Sequence, residues 1–166
     1  MSENNAAAEQ QAGPQFAIQR IYTKDISFEA PNTPAVFTEK WEPKINVDLN
    51  TAANALAEGL FEIELHLTVT ATLGDKTAYL VEVKQAGIFA IGGFNEADTS
   101  AMVHSYCPNV LFPFAREVIA DVVTKASFPQ MLLAPINFDA LYAQHLQQQQ
   151  AQQGAEQVTG DAASTH

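Results

Sequence analysis

The stretch that most restricts the fold is Leu60–Thr72, LFEIELHLTVTAT. Phe61, Ile63, Leu65, Leu67, Val69 and Ala71 alternate with Glu62, Glu64, His66, Thr68, Thr70 and Thr72. A period of two over this length marks a strand with one apolar face and one water-facing face. At ~3.3 Å per residue it spans roughly 40 Å, longer than an ordinary strand. Leu73–Lys76 (LGDK) supplies a turn, and Thr77–Phe89 is predicted to run back as a second long strand. A small domain cannot easily cover so long a sheet alone, which points to an assembly.

The remaining segments are read against this hairpin. Gln15–Ala30 is predicted as the first strand, with Phe16, Ile18, Arg20, Tyr22, Lys24, Ile26 and Phe28 on its more apolar face. Asp25 and Glu29 then fall together on the solvent side. Arg20 and Lys24 interrupt the apolar face, which predicts a bulge or an edge position. Ile45, Val47 and Leu49 alternate with Asn46, Asp48 and Asn50, giving a short strand, and Thr51–Glu58 reads as a connection. On the returning strand Tyr79, Val81 and Val83 share one face. Ala78, Leu80, Glu82 and Lys84 share the other, which leaves Leu80 among charges.

Asn95–Ser105 is polar, with a short helix around Met102. Pro108–Ala126 is the main helix, carrying Leu111, Phe114, Ala115, Val118, Ile119, Val122 and Val123 at helical spacing. Pro113 requires that it start near Phe112 or kink there. Ser127–Ile136 is an apolar, proline-bounded loop. Asn137 is a good N-cap for a second helix, Phe138–Gln150, whose buried stripe would be Phe138, Leu141, Tyr142 and Leu146. Strands first and helices last imply an α+β domain, an antiparallel sheet with helices on one face. That domain occupies residues 15–150. The polar residues 1–14 and the small-residue tail 151–166, which follows a glutamine-rich run, are expected to be disordered.

Charge and cysteine content narrow the function. Eight Lys and Arg stand against 19 Asp and Glu, a net charge of −11. Nucleic-acid binding needs clustered cations, so it is disfavoured, whereas a basic partner is favoured. The single Cys107 cannot form an internal disulfide and fits a reducing compartment. The N-terminus lacks the basic and apolar regions of a signal peptide, and no stretch approaches a membrane span. A soluble, cytoplasmic protein is expected.

Catalytic candidates are few. His104 and Cys107 could form a base and a nucleophile, but no third orienting group is evident, so a packed cysteine is the plainer reading. An enzyme or small-molecule carrier using an apolar groove near this pair is the competing function. No Cys/His spacing suits zinc, and Gly87–Gly93 lacks phosphate-loop spacing. Phe37, Trp41, Phe94, Phe128, Met131, Leu132 and Leu133 lie in loops. They either close the core or line a groove open to clients. Asp25, Glu29, Glu62, Glu64 and Glu82, beside Leu80, form either a solvated face or a docking face.

Three segments resemble the SecB family of bacterial protein-export chaperones: Gln19–Asn32 (QRIYTKDISFEAPN), Tyr106–Glu117 (YCPNVLFPFARE) and Phe128–Leu141 (FPQMLLAPINFDAL). The resemblance runs in register from about Phe16 to Gln150. It implies a four-stranded antiparallel sheet backed by two helices, assembled as a cytoplasmic homotetramer, a dimer of dimers. It further implies a holdase that uses no ATP and no cofactor, binds unfolded preproteins and passes them to the SecA motor. Asp25, Glu29, Leu80 and Glu82 match the site for the motor's basic zinc-bearing tail. Client binding is assigned to Trp41, Ile45, Val47, Leu49, Tyr79, Phe128, Met131, Leu132 and Leu133. The contact between dimers is assigned to the main helix and to Val81, Val83 and Gln85, with Val81 where the family often has cysteine.

Overall fold

The structure, a computed structural model, describes residues 13–161, with side chains to residue 154. The expectation for residues 1–14 therefore lies almost wholly outside the described residues. Strands β1 (Gln15–Glu29), β2 (Lys44–Ala57), β3 (Leu60–Leu73) and β4 (Lys76–Gly92) form one antiparallel sheet in the order β1-β4-β3-β2. The predicted hairpin is its centre. Ile63, Leu65, Leu67, Val69 and Ala71 of β3, with Tyr79, Val81, Val83 and Phe89 of β4, are buried on one face. Gly74 (φ 60°) makes the β3–β4 turn and Gly59 (φ 68°) the β2–β3 turn, both in the left-handed region open to glycine.

Helices cover the apolar face. The N-terminal turn α1 (Glu96–Ala101) is capped by Asn95, whose side chain accepts from the Asp98 N–H at 2.8 Å. It runs through a π-helical segment, Met102–Tyr106, into α2 (Cys107–Lys125). This helix lies against β4 and β3 and buries Leu111, Phe112, Ala115, Ile119 and Val123. Ser127 takes a left-handed conformation (φ 64°), and the Phe128 N–H bonds back to the Val123 carbonyl at 3.3 Å. That stop turns Phe128 inward. Helix α3 (Phe138–Asp161) starts as predicted, with Asn137 Oδ1 accepting from the Ala140 N–H at 3.0 Å, and packs on the π-helical segment.

Four expectations are corrected. Strand β2 does not end near Asn50 but continues to Ala57, because β3 offers it a ladder that Thr51, Ala52, Ala53 and Asn54 would not seek by themselves. The main helix matches α2 to within a residue at each end, but it is not separate from the short helix around Met102: α1 and the π-helical segment join it without a break, and it runs through Pro113. Pro113 and Asn109, whose carbonyl loses its donor, are both exposed, so that carbonyl is open to solvent rather than buried without a partner. In α3 only Phe138 of the predicted stripe is buried, while Leu141 and Leu146 are exposed. The helical backbone of α3 passes the predicted boundary at Gln150 and reaches Asp161.

β1 carries both features foreseen for it, an edge position and bulges. Register shifts fall between Ile18 and Arg20 and between Thr23 and Asp25. Phe16, Ile21 and Phe28 pack toward the core. Between the shifts the parity reverses, so Arg20 and Tyr22, opposite Ile88 and Ala86, face outward rather than inward as predicted.

Gly87 lies opposite Ile63 and Ile21 on the buried face. A Cβ there would meet the Phe89 ring at 2.8 Å and the Arg20 carbonyl oxygen at 3.1 Å. Phe89 is fully buried and has no room to move. Gly87→Ala is expected to lower stability by about 1–3 kcal/mol in urea unfolding; an unchanged midpoint would contradict this packing.

Candidate functional site

The sheet's outer face follows from its register. Asp25 opposes Lys84, Ser27 opposes Glu82, and Glu29 opposes Leu80; Thr68 and Thr70 of β3 continue the rows. Asp25, Glu29, Leu80 and Glu82 therefore share one face, and the three carboxylates are exposed. Among the described residues none of the three is in an ion pair. Leu80 is half-buried between them, an apolar spot ringed by negative charge.

Glu62 and Glu64 lie on the same face but are not free. Lys24 Nζ is 3.1 Å from Glu62 Oε1 and also pairs with Glu64. The Tyr22 hydroxyl donates to Glu62, and His66 Nε2 lies 2.6 Å from Glu64 Oε2. Hydrogen bonds from Tyr22 and Lys24 hold the Glu62 carboxyl below its ordinary range, and those from Lys24 and His66 do the same for Glu64. Glu64 is only 8% exposed, so the expectation that every even position of β3 faces water fails there. The accessible anionic surface is thus Asp25, Glu29 and Glu82, with Asp48 opposite Thr68 at the far end of the same face.

The opposite side, at the β2 edge, holds an apolar groove. Val47 and Leu49 of β2, the Leu133–Ile136 segment and Leu141 of α3 line a space of about 340 Å³. Ile45, Val47 and Leu141 are each about two-fifths exposed, whereas Leu132, 70% exposed, does not line this groove and faces a separate cleft between β1 and α2. Other predicted client positions sit deeper. Tyr79, Phe128 and Leu133 are buried, and Tyr79 and Phe128 centre an aromatic cluster: Phe128 lies 5.0 Å from Phe37 and Tyr79 and 5.6 Å from Trp41. Trp41 is half-buried on this cluster, and Met131 accepts from the Tyr79 hydroxyl at 3.1 Å through its sulfur. The loop aromatics thus close the core, while the aliphatic residues beside them form the groove. Leu141 was missed as a groove residue because helical spacing assigned it to a buried stripe.

Val81, Val83 and Gln85 are at most 2% exposed, beneath α2. Within one chain they pack under α2, so any contact they make with another copy would be through that helix. A cleft of about 810 Å³ between β1 and α2, lined by Ile21, Thr23, Phe114 and Glu117, is the surface actually left open there.

The Cys107–His104 alternative meets a physical obstacle. Cys107 is fully buried, and desolvation pushes its thiol up to about 12. His104 stacks on Tyr142 at 6.1 Å, and partial desolvation together with the charge of His145 lowers its pKa. The thiol therefore stays protonated at neutral pH. A thiol reagent is expected to label Cys107 only after unfolding; rapid labelling of the native protein would contradict this burial.

The sequence model of the family described as preprotein translocase subunit SecB matches residues 9–149. A protein-export protein SecB of Methylococcus capsulatus is 59% identical over 154 residues, covering 92% of this chain and 97% of its own. One of Nitrosococcus oceani is 55% identical over 157 residues, covering 93% and 96%. Among solved structures, a Mycobacterium tuberculosis SecB-like chaperone in complex with a ChAD peptide from the HigA1 antitoxin superposes with a TM-score of 0.61 at 14% identity, over 73% of this chain and 90% of that one. Its likeness concerns the fold; the family match and the two relatives span nearly the whole sheet, both helices and the acidic face, and on those grounds the chain belongs to the SecB family.

Proposed function

We propose that this chain is an export chaperone that keeps preproteins unfolded without ATP, in the cytoplasm, and delivers them to the SecA motor. The observation that carries the reading is the two-sidedness of one sheet. Exposed aliphatic side chains at Val47 and Leu141 line the groove on the helix side, and exposed carboxylates at Asp25, Glu29 and Glu82, unpaired among the described residues, lie on the other. An unfolded chain offers apolar side chains, which the groove buries at ~25 cal/mol per Å² of apolar surface. A shallow groove of this kind favours little sequence preference, and several copies acting on one client would supply affinity through avidity. Membership in the SecB family supports a client-binding role rather than catalysis. Among the described residues no helix is long and apolar enough to cross a membrane.

The acidic face suits a cationic docking partner, and the basic zinc-bearing tail of SecA has that chemistry. Leu80 would add an apolar contact at the centre of the charged ring. A four-chain assembly is part of the same proposal. The open cleft between β1 and α2, with Phe114 at 43% exposure, supports a second copy at that side.

Charge reversal separates the two surfaces. Asp25→Lys with Glu82→Lys is expected to weaken SecA binding at low salt at least about tenfold, ~1.4 kcal/mol. Suppression of aggregation of an unfolded precursor should stay at the wild-type level. Undiminished SecA binding would overturn the docking assignment, and parallel loss of both activities would overturn the separation of the surfaces.

A further inference from the structure

The second bulge of β1 decides which side chains reach the acidic face. Arg20 and Tyr22 point outward. Unbroken alternation from Tyr22 would send Lys24, Ile26 and Phe28 outward and turn Asp25, Ser27 and Glu29 toward the helices. The register shift between Thr23 and Asp25 reverses this, so that Phe28 packs against the core and Asp25, Ser27 and Glu29 face out. Lys24 is the extra residue in that shift.

Lys24 is also tethered on the outer face, though its own side chain is 43% exposed. Its side chain crosses β4 to reach β3, where Nζ lies 3.1 Å from Glu62 Oε1 and pairs with Glu64 Oε1. The crossing is open because the β4 residue there is Ala86, which opposes both Tyr22 and Glu64. Glu62 and Glu64 sit two apart on one face, where their charges repel. The Tyr22 hydroxyl, Asn54 Nδ2 at 3.4 Å and His66 Nε2 at 2.6 Å complete their shell. Both carboxylates are largely covered, at 14% and 10% side-chain exposure, so the ammonium that pairs with them is held in place.

We propose that Lys24 is a positioning residue for the docking face: its tether to Glu62 and Glu64 fixes the bulge that turns Asp25 and Glu29 outward, and it keeps its own ammonium away from them. The consequence for partner binding rests on the docking reading above, whereas the bulge itself does not. Simple charge counting makes the opposite forecast. Removing a lysine from an acidic chain should tighten binding of any cation. Loss of the tether should weaken it, because Asp25 and Glu29 lose their fixed direction.

The test pairs two readouts on Lys24→Ala in the full-length protein: amide hydrogen exchange across β1 and binding of a fluorescent oligo-arginine peptide at low salt. Exchange at Asp25–Phe28 is expected to quicken at least about tenfold, and peptide binding to weaken about threefold or more. Lys24→Arg, which keeps the cation, should restore both. Native exchange rates together with equal or tighter peptide binding would overturn the proposal. If Lys24→Ala does not fold, Glu64→Gln carries the test, since it leaves Lys24 present but loosens its hold; native exchange in that variant overturns the proposal equally. Asp25→Asn separates this from the docking reading. If it leaves wild-type peptide affinity unchanged, the docking reading fails, and the exchange arm still decides whether Lys24 fixes the bulge.

Discussion

The pairing of β3 with β4 is the constraint on which the rest of the chain depends. In their register Leu67 stands opposite Val83 and Val69 opposite Val81, so one face of the hairpin is continuously apolar. A slip of one residue would carry that entire set into water. The apolar face must be covered, and α2 does so with Leu111, Ala115, Ile119 and Val123. The same parity leaves His66, Thr68 and Thr70 of β3 and Glu82 and Lys84 of β4 on the other face. One sheet therefore separates a greasy side from a charged side without a second domain.

The flanking strands refine this division in different ways. β2 extends the apolar side past the edge of α2, so Val47 and Leu49 meet the Leu133–Ile136 segment across an open groove. β1 extends the charged side, and its two bulges choose which residues arrive there. Bulges also suit an edge strand, because they interrupt the regular ladder that another edge would need for pairing. Glu62 and Glu64, at first sight part of the charged surface, are instead tied down by Tyr22 and Lys24 and belong to the scaffold.

Much of this was legible in the residues. The period of two over Leu60–Thr72 located the central strand, its turn and its buried face, and Asn137 announced the start of α3. Arg20 and Lys24 on an apolar stripe signalled a bulge, although alternation alone could not place two shifts that cancel by Ile26. The far half of β2 was illegible because Ala52, Ala53, Asn54 and Ala55 have no period and little strand preference; they are ordered by their partner. The continuity of the short helix around Met102 with the main helix was hidden because Glu96–Ala101 buries no side chain at all. Of the site, the exposed acidic positions could be read from strand parity. The groove could not be divided from the core, because Phe128 and the groove-lining Leu133–Ile136 lie in one apolar loop and only the packing of Tyr79 and Trp41 on Phe128 shows which part closes the core.

The most direct test of a two-sided sheet is whether both sides can be occupied at once. Amide chemical shifts of the isotope-labelled protein would be followed while an unfolded apolar precursor peptide and then a basic SecA tail peptide are added. The account predicts shifts around Val47, Leu49, Ile136 and Leu141 for the first and around Asp25, Glu29, Leu80 and Glu82 for the second, with neither peptide displacing the other. Displacement of one by the other, or a common set of shifted residues, would contradict it.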